Sequence, residues 1–138
     1  MTNVFAIETG FGLSARDKAR LKVLHPDLVR VIEEAAKFAR NRFMVIEGLR
    51  TEVRQKQLVR DGASRTMNSR HLTGHAIDLA PLLADRSIPW HQWWRFAEMA
   101  EDVKRAAQHI NVPIEWGGDW PRFKDGPHFQ LPRDKYPA

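Results

Sequence analysis

Residues 69–80 read SRHLTGHAIDLA, and the rest of the chain is best read outward from them. Gly74 disfavours a helix through residues 71–75, whereas AIDLA has the apolar alternation of a strand with Asp78 on its opposite face. His71 and Asp78 stand seven positions apart around that glycine, and a second short segment, DGPH, adds Asp125 and His128. Two imidazoles and a carboxylate are enough for a divalent metal with an open position. A further carboxylate three residues before the last ligand is where a water-activating base could stand. Together these residues suggest a zinc hydrolase.

Upstream of this stretch, Ser14 and Asp17 form an S-x-x-D helix start, with Leu21 and Leu24 following at helical spacing. Pro26 suits the first turn of a second helix whose apolar face is Leu28, Val31, Ile32, Ala35, Ala36 and Ala39. Phe43–Glu47 is a short apolar run ended by Gly48 and reads as a buried strand. Thr51 can cap a helix that stops at Gly62, after which ASRTMNS is a polar loop. Downstream, Pro81 and Pro89 bracket a loop, and a long helical pattern runs from Trp90 to Ile110 with Trp94, Ala97, Val103 and Ala107 among its apolar positions. The tail alternates PIEW and PHFQL with the turns GGDW and KDG, as two strands of a small sheet. The expected fold is α+β: helices packed against a small, mostly antiparallel sheet whose strands carry the metal ligands.

A chain of 138 residues fits one domain, 1–138, and no run is apolar and long enough to span a bilayer. The N-terminus, MTNVFAIETGFGLSARDK, has neither the basic opening nor the apolar stretch of a signal peptide, so synthesis in the cytoplasm is expected. Zero cysteines exclude disulfides and thiolate sites and leave nitrogen and oxygen donors for any zinc. A net charge of +5 implies attraction to polyanions, whether nucleic acid, anionic lipid or envelope polymers.

A catalytic zinc keeps three protein ligands and one water, and His71, Asp78 and His128 supply such a set. Asp125 could take the proton from that water and later pass it to the leaving amine; its plainer role is a turn aspartate before Gly126. Arg50, at a strand end, could grip a carboxylate or an oxyanion, or could simply be solvated. His75 lies four residues from His71, but without the glutamate of H-E-x-x-H it reads as an outer or surface residue. Arg54, Lys56, Arg60, Arg65 and Arg70 form a basic run that reads as a solvated face, with a phosphate backbone as the alternative partner. Trp90, Trp93, Trp94, Trp116 and Trp120 could line a groove, although tryptophans at helical spacing read first as core. His25, His91 and His109 read as structural.

These residues resemble the zinc D-alanyl-D-alanine carboxypeptidase and L-alanyl-D-glutamate endopeptidase family, which includes compact phage endolysins. Its S-x-H-x-x-G-x-A-x-D motif is met by Ser69, His71, Gly74, Ala76 and Asp78, its acid-x-x-His by Asp125 and His128, and its R-T-x-x-x-Q by Arg50, Thr51 and Gln55. The resemblance runs from about Gly48 to Leu131. It implies one zinc ion on His71, Asp78 and His128, Asp125 as catalytic base, Arg50 holding substrate or the developing oxyanion, and Gln55 and Ser69 beside the substrate. It also implies peptidoglycan as partner and cleavage of the L-alanyl-D-glutamate bond of the stem peptide, with the terminal D-alanyl-D-alanine bond as competitor. Gln130 departs from the PHFEL ending often seen in such proteins and bears on ligand tuning. The expected setting is a monomeric endolysin held in the host cytoplasm until the membrane is breached, its charge helping it to engage an anionic envelope. The competing classes are an iron oxygenase, a basic nucleic-acid-binding protein with a structural metal, and a zinc-bearing relative without catalysis.

Overall fold

The computed structural model describes residues 9–137, so the first part of the N-terminal stretch read for a signal peptide lies outside the described residues. In chain order the elements are α1 (Ala15–Leu21), α2 (Pro26–Phe38), β1 (Phe43–Glu47), α3 (Glu52–Arg60), β2 (Ala76–Pro81), α4 (Trp93–His109), β3 (Glu115–Trp116) and β4 (His128–Gln130). Short 3-10 turns cover Arg70–Thr73 and Gly117–Asp119. The strands form one sheet in the order β1-β2-β4-β3, and every pairing is antiparallel. This is the α+β architecture that the sequence implies.

Strand periodicity divides the sheet into two faces. Phe43, Val45, Ile77, Leu79 and Phe129 join Leu28, Val31, Ile32, Ala35, Phe96, Ala100, Val103 and Ala106 in one apolar core beneath α2 and α4. The polar side of the same strands is in register. Asp78 on β2 lies opposite His128 on β4 and opposite Glu47 on β1, while Gln130 lies opposite Glu115 on β3. Glu47 reaches that row through a bulge between Val45 and Glu47, where two residues of β1 face one of β2. With unbroken alternation Ile46 would face Asp78, so the bulge exchanges an apolar neighbour for a carboxylate.

Helix ends follow local chemistry. The Ser14 Oγ accepts from the Asp17 N–H, Thr51 Oγ1 accepts from the Arg54 N–H, and Pro26 opens α2 behind a His25 cap whose Nδ1 accepts from the Asp27 N–H. Asp17 departs from a capping-box role. Its buried carboxylate accepts the Val45 N–H at 3.0 Å, and the Arg20 guanidinium donates to the carbonyls of Val45 and Ile46. Helix α1 thereby satisfies the open edge of β1. An Asp17→Ala variant, which leaves that N–H unpartnered, is expected to lose about 1–3 kcal/mol of stability. Urea unfolding measures this, and unchanged stability would mean that water replaces the carboxylate.

Three sequence readings need correction. Helix α4 starts at Trp93, not Trp90, because residues 88–92 form turns behind Pro89. Its buried stripe is Phe96, Met99, Ala100, Val103, Ala106 and Ala107, which leaves Trp94 56% exposed under the Arg95 guanidinium. Trp90 and Trp93 are exposed as well, so three of the tryptophans expected in the core are at the surface. Arg70 does not belong to a solvated face: it is 3% exposed and donates to the carbonyls of Leu131 and Tyr136, tying the tail to the 70–73 turn. No helix among the described residues is long and apolar enough to cross a membrane.

Candidate active site

His71 leaves the 70–73 turn, whose Ser69 cap accepts the His71 N–H and whose Gly74 exit has φ +76°, a conformation that suits glycine. The turn delivers the imidazole to the polar face of the sheet, where Asp78 and His128 already face each other across β2 and β4. His71 Nε2 lies 3.2 Å and His128 Nδ1 3.4 Å from the same atom, Asp78 Oδ1. One donor atom from each of the three residues falls within 4.8 Å of the others. The edge of a tetrahedron with metal–ligand bonds of about 2.0–2.1 Å is about 3.3 Å, so the spacing suits a small divalent cation.

The outer nitrogens strengthen that reading. His71 Nδ1 lies 2.8 Å from the Gly48 carbonyl and can only donate to it. His128 Nε2 lies 2.8 Å from Gln130 Oε1, and Gln130 in turn donates its Nε2 to Glu115, which fixes the amide with its oxygen toward the ring. With both outer nitrogens donating, each neutral ring turns a lone pair toward a carboxylate oxygen. Three acceptors converging on one point need a cation or a proton between them. Burial raises the Asp78 pKa on its own, but hydrogen bonds from His128 and His71 outweigh it and hold the carboxyl below its usual range. Burial likewise works against a charged His128, and the Asp78 carboxylate overrides it, so the imidazole is raised.

Asp125 and His128 sit in a turn held against the Gly117–Asp119 turn, with the Asp125 N–H donating to the Gly117 carbonyl at 3.0 Å. The Asp125 side chain makes no hydrogen bond among the described residues. Burial first, and the Asp78 charge second, raise its pKa. It lines a cavity of about 970 Å³ together with Arg50, Ser69, His71, Asp78, Trp120 and His128. Trp120 packs on the His128 ring at 5.0 Å between centroids.

Arg50 is neither solvated nor free. Its guanidinium grips Glu47 through Nε and Nη2 at 2.9 and 2.7 Å and donates from Nη1 to Gln55 Oε1 at 2.8 Å. These hydrogen bonds to Arg50 outweigh burial and lower the Glu47 pKa. Gln55, expected beside the substrate, is fully buried behind Arg50, and both its amide hydrogens are committed to Ser64 Oγ and the Thr66 carbonyl. Its contacts make it a brace for Arg50 and the 64–66 loop. His75 lies outside the cluster, bonded to Thr73 and beside His25. Glu47 and Gly117 carry no signal of their roles in the sequence: Glu47 enters through an irregular bulge, and Gly117 has the same local setting as any turn glycine.

The sequence matches the phage L-alanyl-D-glutamate peptidase family over residues 9–131. The chain belongs to that family. It is 47% identical to the L-Ala D-Glu endopeptidase ChiX of Serratia marcescens, whose crystal structure aligns with a TM-score of 0.85 over 91% of this chain and 93% of that one. The L-alanyl-D-glutamate peptidase of Escherichia phage T5 is 26% identical over 129 residues, covering 91% of this chain and 93% of that protein. The enzyme of the same name from Listeria phage A118 is 34% identical over 88 residues, 64% of this chain but 30% of that protein, so the chain spans only part of the Listeria phage relative.

Proposed function

We propose that this chain, acting as one catalytic unit, hydrolyses the L-alanyl-D-glutamate bond of the peptidoglycan stem peptide with one zinc ion held by His71, Asp78 and His128. The observation that carries this is the set of three acceptor atoms, both imidazoles held by hydrogen bonds on their outer nitrogens, gathered beside the Asp125 carboxylate, which has no hydrogen bond among the described residues. Family membership supplies the substrate class. Zinc bound there would polarise the scissile carbonyl and make bound water acidic near neutral pH.

The chain's own residues do the rest. The Asp125 carboxylate receives the proton of the attacking water and returns it to the leaving amine. Burial and the neighbouring Asp78 charge raise its pKa, which makes the carboxylate a stronger proton acceptor for the first step. Arg50 keeps one N–H on each terminal nitrogen uncommitted, a donor pair for a substrate oxygen, and Glu47 and Gln55 fix its orientation. The Ser69 hydroxyl accepts from the His71 N–H and keeps its own proton for the substrate. The same proposal includes a lytic role, with release from the host cytoplasm to the wall. Digestion of purified peptidoglycan by the zinc-loaded protein, with new termini identified by mass spectrometry, tests it. Free N-terminal D-glutamate is expected; released D-alanine would point to the carboxypeptidase, and an unaltered polymer would end the proposal.

Two further outcomes follow from the ligand environment. Because the Asp78 carboxylate raises the His128 imidazole above its usual range, zinc must displace a proton there, and affinity should fall as the pH is lowered toward and through the ordinary imidazole range. Zinc titrations across that range measure it, and a constant Kd would mean that no ligand proton is exchanged. A Gln130→Leu variant removes the acceptor that orients the His128 ring and is expected to weaken zinc binding about tenfold or more. Parent-like affinity would show that the strand alone holds the ring.

A further inference from the structure

Two exposed residues that line the cavity touch each other. Arg65, in the loop after α3, lays its guanidinium over the Phe123 ring at 3.7 Å from the centroid, and both residues line the cavity. Both sides of this contact are braced. The neighbours of Arg65 are held by the buried Gln55 amide, which donates to Ser64 Oγ at 2.8 Å and to the Thr66 carbonyl at 2.5 Å. Across the cavity, Lys124 Nζ donates to the carbonyls of Gly118 and Trp120 and pins the turn that carries Phe123. Phe123 itself has φ +53° and is 63% exposed. A bulky residue in that backbone region is strained, and an aromatic ring in water gains nothing from burial, so the conformation calls for a purpose.

Stacking uses the flat face of a guanidinium and leaves its N–H edge open. Arg65 makes no hydrogen bond and no ion pair among the described residues, whereas Arg50, which also lines the cavity, is held by Glu47 and Gln55 and has its remaining N–H pair assigned above to a substrate oxygen beside the metal ligands. A fixed cation with an unused fork is suited to a carboxylate. The substrate class in the proposed reaction carries one. D-glutamate has two carboxyl groups, and when one continues the peptide the other stays free, on the leaving-group side of the scissile bond.

We infer that Arg65, held at the cavity wall by Phe123, is a specificity-determining residue that binds the free carboxylate of the D-glutamyl unit and so favours acidic stem peptides over carboxamide ones. The inference rests on the endopeptidase reading above. Two synthetic peptides test it, identical except that the D-glutamyl carboxylate of one is a carboxamide in the other. The zinc-loaded protein should prefer the carboxylate peptide about tenfold or more in kcat/KM, the scale of one charge-assisted hydrogen bond. The difference should lie in KM, because the contact is made equally in the ground and transition states. Added salt should narrow it, because the cation is exposed. In Arg65→Gln the preference should shrink to about twofold or less, and Phe123→Leu, which keeps the cation but removes its platform, should fall between. Equal cleavage of the two peptides by the parent protein, or a full preference surviving in Arg65→Gln, would overturn the assignment. Failure to cleave either peptide would instead overturn the endopeptidase reading on which it stands.

Discussion

An Asp125→Ala variant is expected to bind zinc nearly as the parent protein does and to lose about a hundredfold to ten-thousandfold in kcat/KM, the range supplied by a positioned general base. The two effects separate because Asp125 stands beside the cluster and not within it. His71, Asp78 and His128 keep their mutual spacing and their outer partners Gly48 and Gln130 when the Asp125 carboxylate is removed. What disappears is a half-buried carboxylate with no other hydrogen-bond duty among the described residues, raised by desolvation and by the Asp78 charge. Asp125→Asn keeps the shape and removes only the proton acceptor, so it should be nearly as inactive. Zinc titration and peptide turnover on the same preparation measure both halves. Full turnover in either variant would mean that another group takes the proton; loss of zinc binding would mean that Asp125 holds the cation.

The polar row on the sheet shows how far residue spacing carries. Alternation in AIDLA put Asp78 on the face away from the core, and DGPH put Asp125 and His128 in one turn, because both facts follow from strand period and turn chemistry alone. Pairing of β2 with β4 is a long-range event, yet two short strands with matching ligand chemistry could be recognised as one site. The bulge in β1 is different. Nothing in FMVIE announces that Ile46 and Glu47 share one position against β2, so the carboxylate that holds Arg50 has no signature in the sequence.

Burial of polar side chains likewise leaves little trace in the sequence. Arg70 and Gln55 are surface residues by type, but each sits where backbone carbonyls of a loop or tail lack partners, and only the fold reveals those carbonyls. The tryptophans err in the opposite sense. Indoles at helical spacing match a core stripe in composition, but the stripe of α4 is set by Phe96, Met99 and Val103, one step out of phase with Trp94. A shift of one residue rotates a helical position by about 100°, enough to move a side chain from core to solvent.

A Gly117→Ala variant is expected to lose zinc affinity and turnover together. A Cβ at residue 117 would stand 2.5 Å from the Asp125 carbonyl oxygen, 3.0 Å from the Asp125 Cβ and 3.1 Å from the His128 Cβ. The nearest of these is backbone and cannot rotate away, so the turn carrying both residues must move. The hydrogen bond from the Asp125 N–H to the Gly117 carbonyl would be stretched by that movement. Displacement of reacting groups by about 1 Å costs on the order of a hundredfold in rate, and here it falls on a proposed ligand and the proposed base at once. Gly118→Ala makes a useful comparison, because its Cβ would meet the Trp116 indole at 2.2 Å and strain the core side of the turn. Unfolding curves separate the two cases: Gly118→Ala should lower stability first, whereas Gly117→Ala should keep a folded chain whose zinc titration is weakened. An alanine at 117 that binds zinc and cleaves peptide at parent levels would show that the turn can yield without disturbing the Asp125 and His128 side chains.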